Sequence, residues 1–214
     1  QDYKRAIIIG STQTYGKGTV QNVLDLNRMI KANTNGDMGA FKFTIQKYYR
    51  INGGSVQLEG VKSDVVIPNR YSYIDFGEKE QDNPLEWDKI TAVEYTPWSS
   101  NFDYSSAIEK SKLRIKSNEY LKLIDDNAKW IKSVRDNQEF TLNYFDYIDK
   151  IKEDELTAKS FDKLKEFKTN LEFKSLPYEI NLFEKDSTLE LKRNRWHKNL
   201  AKDLYIEEAL NVLN

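Results

Sequence analysis

Hydrophobic residues in the first hundred positions follow the patterns of β-strands. Residues 7–9 are three consecutive isoleucines before a glycine, and such a run predicts a strand covered on both faces. Apolar and polar residues alternate from Phe41 onward, which predicts a half-buried strand continuing through residues 48–50. The stretch from Val20 to Leu26 predicts a second extended piece or a short turn leading into one, and residues 65–67 predict a short strand. Residues 33–37, Asn-Thr-Asn-Gly-Asp, carry strong turn signals.

Beyond Ser99 the apolar positions recur three and four residues apart, which is helical spacing. The predicted helices centre on residues 121–131, 145–151, 161–171 and 196–213, with Ser105 or Ser106 as a helix cap and Pro177 as a stop. No glycine follows Gly77. The pattern therefore predicts an α+β chain, with a β-rich domain at residues 1–99 and an α-helical domain at residues 100–214.

Composition narrows the chemistry open to these 214 residues. The 33 basic and 34 acidic residues leave a net charge of -1, so electrostatics favour neither nucleic acid nor an anionic membrane as a partner. There is no cysteine, and His197 is the single histidine. These counts exclude a cysteine nucleophile and thiolate metal sites, and we expect neither a metal nor a cofactor. No apolar run reaches membrane-spanning length.

Lys17 is the first candidate for chemistry because it lies between Gly16 and Gly18, just past the predicted first strand. An amine acts as a general base only when neutral, so its ordinary pKa of about 10.4 must be lowered by burial or nearby positive charge. A Ser-Lys pair of this kind hydrolyses amides without histidine. The phosphate-loop pattern is incomplete, since Gly18 stands where that loop has a hydroxyl residue. The remaining interpretation is a solvated loop lysine.

Gln21 follows Lys17 by four positions, and the two side chains meet only if this segment forms a helical turn. In a strand they lie about 13 Å apart along the backbone. Composition alone favours ordinary roles for Gln21 and for Asp2, as a polar edge residue and a surface carboxylate. Ser11 and Ser55 lack the Gly-x-Ser-x-Gly pattern of a nucleophile, so both are predicted to be turn residues.

Several stretches of the chain combine into a family pattern. They are Gln-Asp-Tyr at residues 1–3, Gly-Lys-Gly-Thr-Val-Gln at 16–21, Tyr-Tyr-Arg-Ile-Asn-Gly-Gly-Ser-Val-Gln-Leu-Glu-Gly-Val at 48–61 and Ser-Asp-Val-Val-Ile-Pro at 63–68. Residues 77–79 and 82–88 add Gly-Glu-Lys and Asp-Asn-Pro-Leu-Glu-Trp-Asp. Together they resemble the carboxy-terminal processing (tail-specific) serine proteases, and the remainder resembles the helical C-terminal domain of their long periplasmic members.

The resemblance implies a Ser-Lys mechanism in which Lys17 is the general base and Gln21 positions it. It gives supporting roles to Asp2, Gly16 and Gly18. It also implies a partial ClpP/crotonase-like protease-core sheet followed by the α-helical C-terminal domain. The nucleophilic serine and the substrate-binding PDZ domain of the family lie upstream of these motifs. Since Gln1 is not an initiator methionine, we expect a piece of a longer protein that is inactive alone.

The expected function is therefore serine endopeptidase activity on proteins recognised by unstructured C-terminal tails, on the periplasmic or cell-envelope side. Substrate would bind as an added strand. A sheet that lacks its upstream part leaves an exposed edge, which predicts a homo-oligomer formed through that edge. The alternative is a non-catalytic helical scaffold or protein-interaction module in which Lys17 has no chemical task.

Overall fold

The computed structural model of the chain describes residues 1–30, 34 and 36–214, and these form two compact units. The first unit contains Gln1–Ile8, Thr12–Ser63 and Asp75–Asn101, and the second contains Ile9–Ser11, Asp64–Ile74 and Phe102–Asn214. Two short segments from the first hundred residues thus belong to the helical unit. The predicted turn at residues 33–37 lies partly outside the described residues.

An antiparallel hairpin dominates the regular structure of the first unit. Its strands are β2 (Thr19–Asp25) and β3 (Ala40–Lys47), with a register shift between Val20 and Gln21. A short helix, α1 (Leu26–Met29), follows β2 directly. The stretch after Val20 and the stretch from Phe41 are therefore both confirmed as strands.

The prediction that this strand is half-buried and reaches residue 50 is wrong. β3 ends at Lys47, and Tyr49 forms only an isolated bridge to Ser55. The side chains of Phe41 and Ile45 are 58% and 49% exposed. A two-stranded hairpin exposes both of its faces unless other elements pack on them. The alternation of apolar and polar residues in β3 therefore does not by itself bury the apolar side chains.

The second unit contains the other sheet, a parallel pair formed by β1 (Ile9–Gly10) and β4 (Val65–Val66). The prediction of a strand at residues 7–9 covered on both faces is wrong in extent and in burial. Only Ile9 of the three isoleucines is in the strand, and all three are half-buried. Val65 in β4 and the neighbouring Ile67 are instead fully buried.

Six helices build the rest of the second unit. They are α2 (Tyr104–Ser117), α3 (Glu119–Asp136), α4 (Tyr144–Ser160), α5 (Pro177–Phe183), α6 (Ser187–Leu200) and α7 (Leu204–Leu213), with a 3₁₀ turn at Asp162–Glu166. Leu121 and Ala128 on α3 are buried as their spacing predicted, together with Leu204 and Val212 on α7. The described chain is thus α+β, with mostly helices and little sheet.

Helix ends differ from the predictions because side-chain caps decide them. Asp103 caps α2 by accepting a hydrogen bond from the Ser106 backbone N–H at 3.0 Å, so the cap is neither Ser105 nor Ser106. Asp203 caps α7 and divides the single helix predicted over residues 196–213. Pro177 begins α5 instead of stopping a helix, since proline suits the first helical turn.

Residues 161–171 form only a 3₁₀ turn over Asp162–Glu166, so the helix predicted there is wrong over most of its length. Within the described part of the chain, no helix is both long enough and apolar enough to span a bilayer.

Candidate active site

The loop that carries Lys17 lies directly against the backbone of residues 55–60 in the first unit. The Gly16 carbonyl accepts a hydrogen bond from the Leu58 N–H at 2.7 Å. Gly16 has φ +88°, and a Cβ there would come within 2.9 Å of the Leu58 carbonyl carbon. A Cβ on Gly18 would come within 2.6 Å of the Gln57 nitrogen. Both glycines are required by this close backbone approach.

Three hydrogen bonds fix the backbone on either side of the Lys17 side chain. The Gly18 N–H donates to the Gln57 side-chain oxygen Oε1 at 2.8 Å, in a buried position. The Tyr48 N–H donates to the Gly18 carbonyl at 3.1 Å. The Tyr48 hydroxyl donates to the Lys17 carbonyl. The lysine therefore projects from a held backbone segment.

The Lys17 amine lies beside a carboxylate. Its Nζ is 3.8 Å from Glu78 Oε1, and the two side chains are 38% and 14% exposed. Glu78 is held in turn, since its Oε1 accepts from Gln57 Nε2 at 3.4 Å and its backbone N–H donates to the Tyr15 carbonyl at 2.9 Å. The Lys17 amine therefore faces a carboxylate that is held through both its side chain and its backbone.

Gln21 does not lie on a helical turn with Lys17. It is part of β2, pairs with Thr44 and has an exposed side chain. A strand separates positions four apart by about 13 Å, so the condition for direct contact between Lys17 and Gln21 is not met here. The assignment of Gln21 as the residue that positions the lysine stays a prediction.

Asp2 binds the segment that leads into the glycine turn at residues 53–54. Its carboxylate accepts from Arg50 Nε at 2.8 Å, pairs with the Arg50 Nη2 and accepts from Asn52 Nδ2 at 3.2 Å. Its contacts are thus with the element that precedes Ser55 and Gln57. A supporting role for Asp2 in catalysis stays a prediction.

The two serines of the first hundred residues that were weighed as nucleophiles differ in burial. Ser55 is buried, and its Oγ accepts from the Gln57 N–H at 3.0 Å, as a turn residue does. Ser11 is exposed and belongs to the second unit. No group of three or more metal-binding side chains occurs among residues 1–30, 34 and 36–214.

Sequence reasoning missed Gln57, which accepts from the Gly18 N–H, and Glu78, which lies beside the Lys17 amine. Gln57 has no exposed surface, although glutamine is mostly found on protein surfaces. A polar residue between two apolar ones beside the Gly53-Gly54 turn was the available signal. Glu78 follows Gly77 in an irregular stretch, and nothing local linked it to Lys17.

Comparison with known proteins places this chain in a family. Residues 71–214 match the family described as C-terminal domain of tail specific protease, and residues 1–67 match Peptidase family S41. The chain belongs to the tail-specific proteases. Lys17 therefore falls within the peptidase match, and Glu78 falls within the match to the C-terminal domain.

Two curated tail-specific or carboxy-terminal-processing proteases of bacteria illustrate the relationship. The chain is 38% identical to the Tail-specific protease of Haemophilus influenzae over an alignment of 149 residues that covers 67% of this chain and 21% of that protein. It is 38% identical to the Carboxy-terminal-processing protease of Bartonella bacilliformis over 86 residues, 37% of this chain and 18% of that protein. The chain thus spans about a fifth of the length of these relatives.

Proposed function

We propose that this chain carries the base of a Ser-Lys endopeptidase that cleaves proteins recognised by their C-terminal tails. The observation that supports it most is the setting of Lys17. A partly exposed amine projects from a backbone segment held by three hydrogen bonds, of which the bond from Gly18 to Gln57 is buried, inside the stretch that matches a peptidase family. A solvated loop lysine needs no such support.

In the proposed reaction a serine outside this chain attacks the peptide carbonyl while the neutral Lys17 amine takes the hydroxyl proton. The Lys17 ammonium then gives that proton to the departing amine nitrogen as the C–N bond breaks, leaving an acyl-enzyme. Water attacks the ester, its proton passes through the same amine, and the serine hydroxyl is regenerated. Neither Ser11 nor Ser55 is part of this scheme, so we expect no turnover from this chain alone.

The proposal extends to architecture and setting. The strands of the first hundred residues would be part of a ClpP/crotonase-like core, with domains at residues 1–99 and 100–214 and Gln21, Asp2, Gly16 and Gly18 supporting the base. The substrate would add a strand through main-chain hydrogen bonds. The enzyme would act on the periplasmic or cell-envelope side, as a homo-oligomer if the sheet edge stays open.

The test uses the full-length protein that contains this chain and two substrates differing only in an unstructured C-terminal tail. We expect cleavage of the tailed substrate and little cleavage of the tail-less one. Equal cleavage of both would refute tail recognition. Absence of any cleavage would favour the non-catalytic scaffold.

A further inference from the structure

Two consecutive residues of one turn hold the backbone on either side of Lys17. The Leu58 N–H donates to the Gly16 carbonyl at 2.7 Å. The Gly18 N–H donates to the Gln57 side-chain oxygen Oε1 at 2.8 Å, in a buried position. Lys17 is therefore the residue between two hydrogen bonds that end on neighbouring residues. The backbone from which its side chain projects is held from both sides by the same turn.

The Gln57 side chain is fully buried, and both ends of its amide have partners. Its Oε1 accepts from Gly18, its Nε2 donates to Glu78 Oε1 at 3.4 Å, and its backbone N–H donates to Ser55 Oγ at 3.0 Å. An amide loses its bound water on burial, and its hydrogen bonds in the folded chain must offset that loss. Filling the space needs only an apolar side chain of similar volume. The amide therefore does more than pack, since it supplies the acceptor for the Gly18 N–H.

The backbone of the same turn is strained at Leu58. This residue has φ +65°, in the left-handed region that residues with a side chain rarely adopt. Such strain persists only where the surrounding contacts determine the conformation, and it clusters at functional sites. The turn is closed by the Gly60 N–H, which donates to the Val56 carbonyl at 2.8 Å. Its conformation places the Leu58 N–H and the Gln57 side chain against the same loop.

From this geometry we infer that Gln57 is a positioning residue for Lys17. Its buried oxygen fixes the Gly18 backbone, and so fixes where the lysine side chain begins relative to the attacking serine. The inference rests on the proposed function, because it concerns the placement of the proposed base. Gln57 acts only through the backbone and contacts no reacting atom. A lysine amine lies at the end of a flexible four-carbon stem, so a displaced backbone moves it away from a proton that it must accept at hydrogen-bond distance.

The kinetic test compares the full-length protein and its variants on one tailed peptide substrate. Gln57→Met keeps the length and approximate volume of the side chain and removes the oxygen that accepts from Gly18. A misplacement of about 1 Å can lower a catalysed rate by about 10²-fold, so we expect kcat to fall by about 10–100-fold. KM should stay within about twofold, because no contact with the substrate is removed. An unchanged kcat in Gln57→Met overturns the inference.

A merely structural role of Gln57 would lower stability without lowering the kcat of the folded enzyme. Val56→Ala is the matched control, since it removes buried methyl groups from the same turn and leaves the bond from Gly18 to Gln57 in place. Activity is measured below the thermal unfolding transition of every variant. We expect Val56→Ala to keep the wild-type kcat although it is less stable. An equal fall of kcat in Val56→Ala and Gln57→Met contradicts a positioning role.

Hydrogen exchange of the Gly18 amide tests the hydrogen bond itself and requires no peptidase activity. It is measured in the full-length protein by mass spectrometry with fragmentation that resolves single residues. Loss of the acceptor should make Gly18 exchange about two- to tenfold faster in Gln57→Met than in Val56→Ala. Equal exchange in the two variants would show that Gln57 does not hold the loop, and the inference would be wrong.

A second variant of Gln57 covers the case in which Gln57→Met does not fold. Gln57→Asn keeps an amide that is one methylene shorter, so the side chain stays polar but falls short of the Gly18 N–H. We expect the same loss of kcat at constant KM. Absence of cleavage by the wild type would refute the proposed function and this inference with it. Wild-type cleavage with an unchanged kcat in the folded Gln57 variant would refute this inference alone.

Discussion

At the scale of single residues, Gln57 is the side chain on which the Lys17 loop depends most. It is buried, and its oxygen satisfies the N–H of Gly18. Gln57→Leu leaves that donor buried without an acceptor, so we expect the free energy of unfolding to fall by about 1–3 kcal/mol. Urea denaturation measures it, with Gln46→Leu on the exposed face of β3 as the matched control. Equal effects of the two substitutions would show that the buried hydrogen bond contributes nothing.

A second prediction for single residues compares Gly16 with Gly39, which has a similar backbone conformation but different surroundings. Gly16 and Gly39 have φ +88° and +73°, and only Gly16 has backbone within reach of an added Cβ. Gly39→Ala should cost about 1–2 kcal/mol of unfolding free energy from backbone strain alone. Gly16→Ala should cost more, because it also drives the loop away from Leu58. Thermal unfolding of both variants compares them, and a Gly16→Ala variant as stable as Gly39→Ala contradicts this account.

Some residues of the candidate site could be predicted from the sequence. The two glycines around Lys17 indicated close backbone approach, and the structure shows what approaches. Glu78 was not accessible, since a contact between residues so far apart in the chain depends on how the turn at 77–80 packs. Gln57 was not identified from the sequence, because its burial depends on how the turn at residues 57–59 packs against the Lys17 loop.

At the scale of elements, α3 carries a hydrogen-bonded carboxylate that makes its packing depend on pH. Asp125 accepts from the Tyr73 hydroxyl at 2.7 Å and pairs with Lys129, one helical turn on, at 2.7 Å. Burial raises the pKa of the Asp125 carboxyl, but the hydrogen bonds from Lys129 and Tyr73 outweigh it and leave that pKa below its usual value. The pKa of Tyr73 is raised, mainly by its hydrogen bond to Asp125.

A carboxyl group whose pKa is lower in the folded than in the unfolded chain stabilises the fold above the unfolded value, about 3.9 for aspartate. That stabilisation is lost as the pH falls through the lower, folded value. We therefore expect wild-type stability to fall more steeply below about pH 4 than that of Asp125→Asn. Urea midpoints at pH 6 and pH 3 measure the difference. Asp126→Asn, exposed on the same helix, should keep the wild-type slope, and identical slopes for Asp125→Asn and wild type would contradict the prediction.

Element types were easier to predict than element ends. The apolar spacing in α3 and the alternation in β3 each predicted the correct type of element, because each pattern repeats over several residues. The predicted helix ends were wrong where a single capping side chain determines the end, as Asp203 does at the start of α7. The helix expected at residues 161–171 is wrong although Phe161 and Phe167 contact Trp130 and Tyr120 of α3, so apolar spacing here marks residues that pack on α3 without forming a helix.

At the scale of the whole molecule, the hairpin in the first unit leaves large apolar side chains open to solvent, among them Val23 and Phe41. The proposed oligomer would cover such an edge or face. Light scattering of the purified protein should then give more than one chain per particle. A monomer over the working concentration range would count against it.

The family of the chain was recognisable from motifs spread over its first ninety residues, and the comparisons confirm it. The division of the chain into the two units was not recognisable from these motifs, because residues 9–11 and 64–74 belong to the unit that contains the helices. Short strands join whichever layer buries them, and local sequence patterns carry no record of that choice.

The central claim is that Lys17 takes the proton from the attacking serine. Its most direct test is kcat/KM of the full-length protein on a tailed peptide substrate, comparing Lys17→Ala with Lys79→Ala, a lysine in the 3₁₀ turn Glu78–Glu80. Removal of a general base typically lowers the rate by about 10²–10⁴-fold. The account predicts a loss of that size for Lys17→Ala and near-wild-type cleavage for Lys79→Ala. Undiminished cleavage by Lys17→Ala would contradict it.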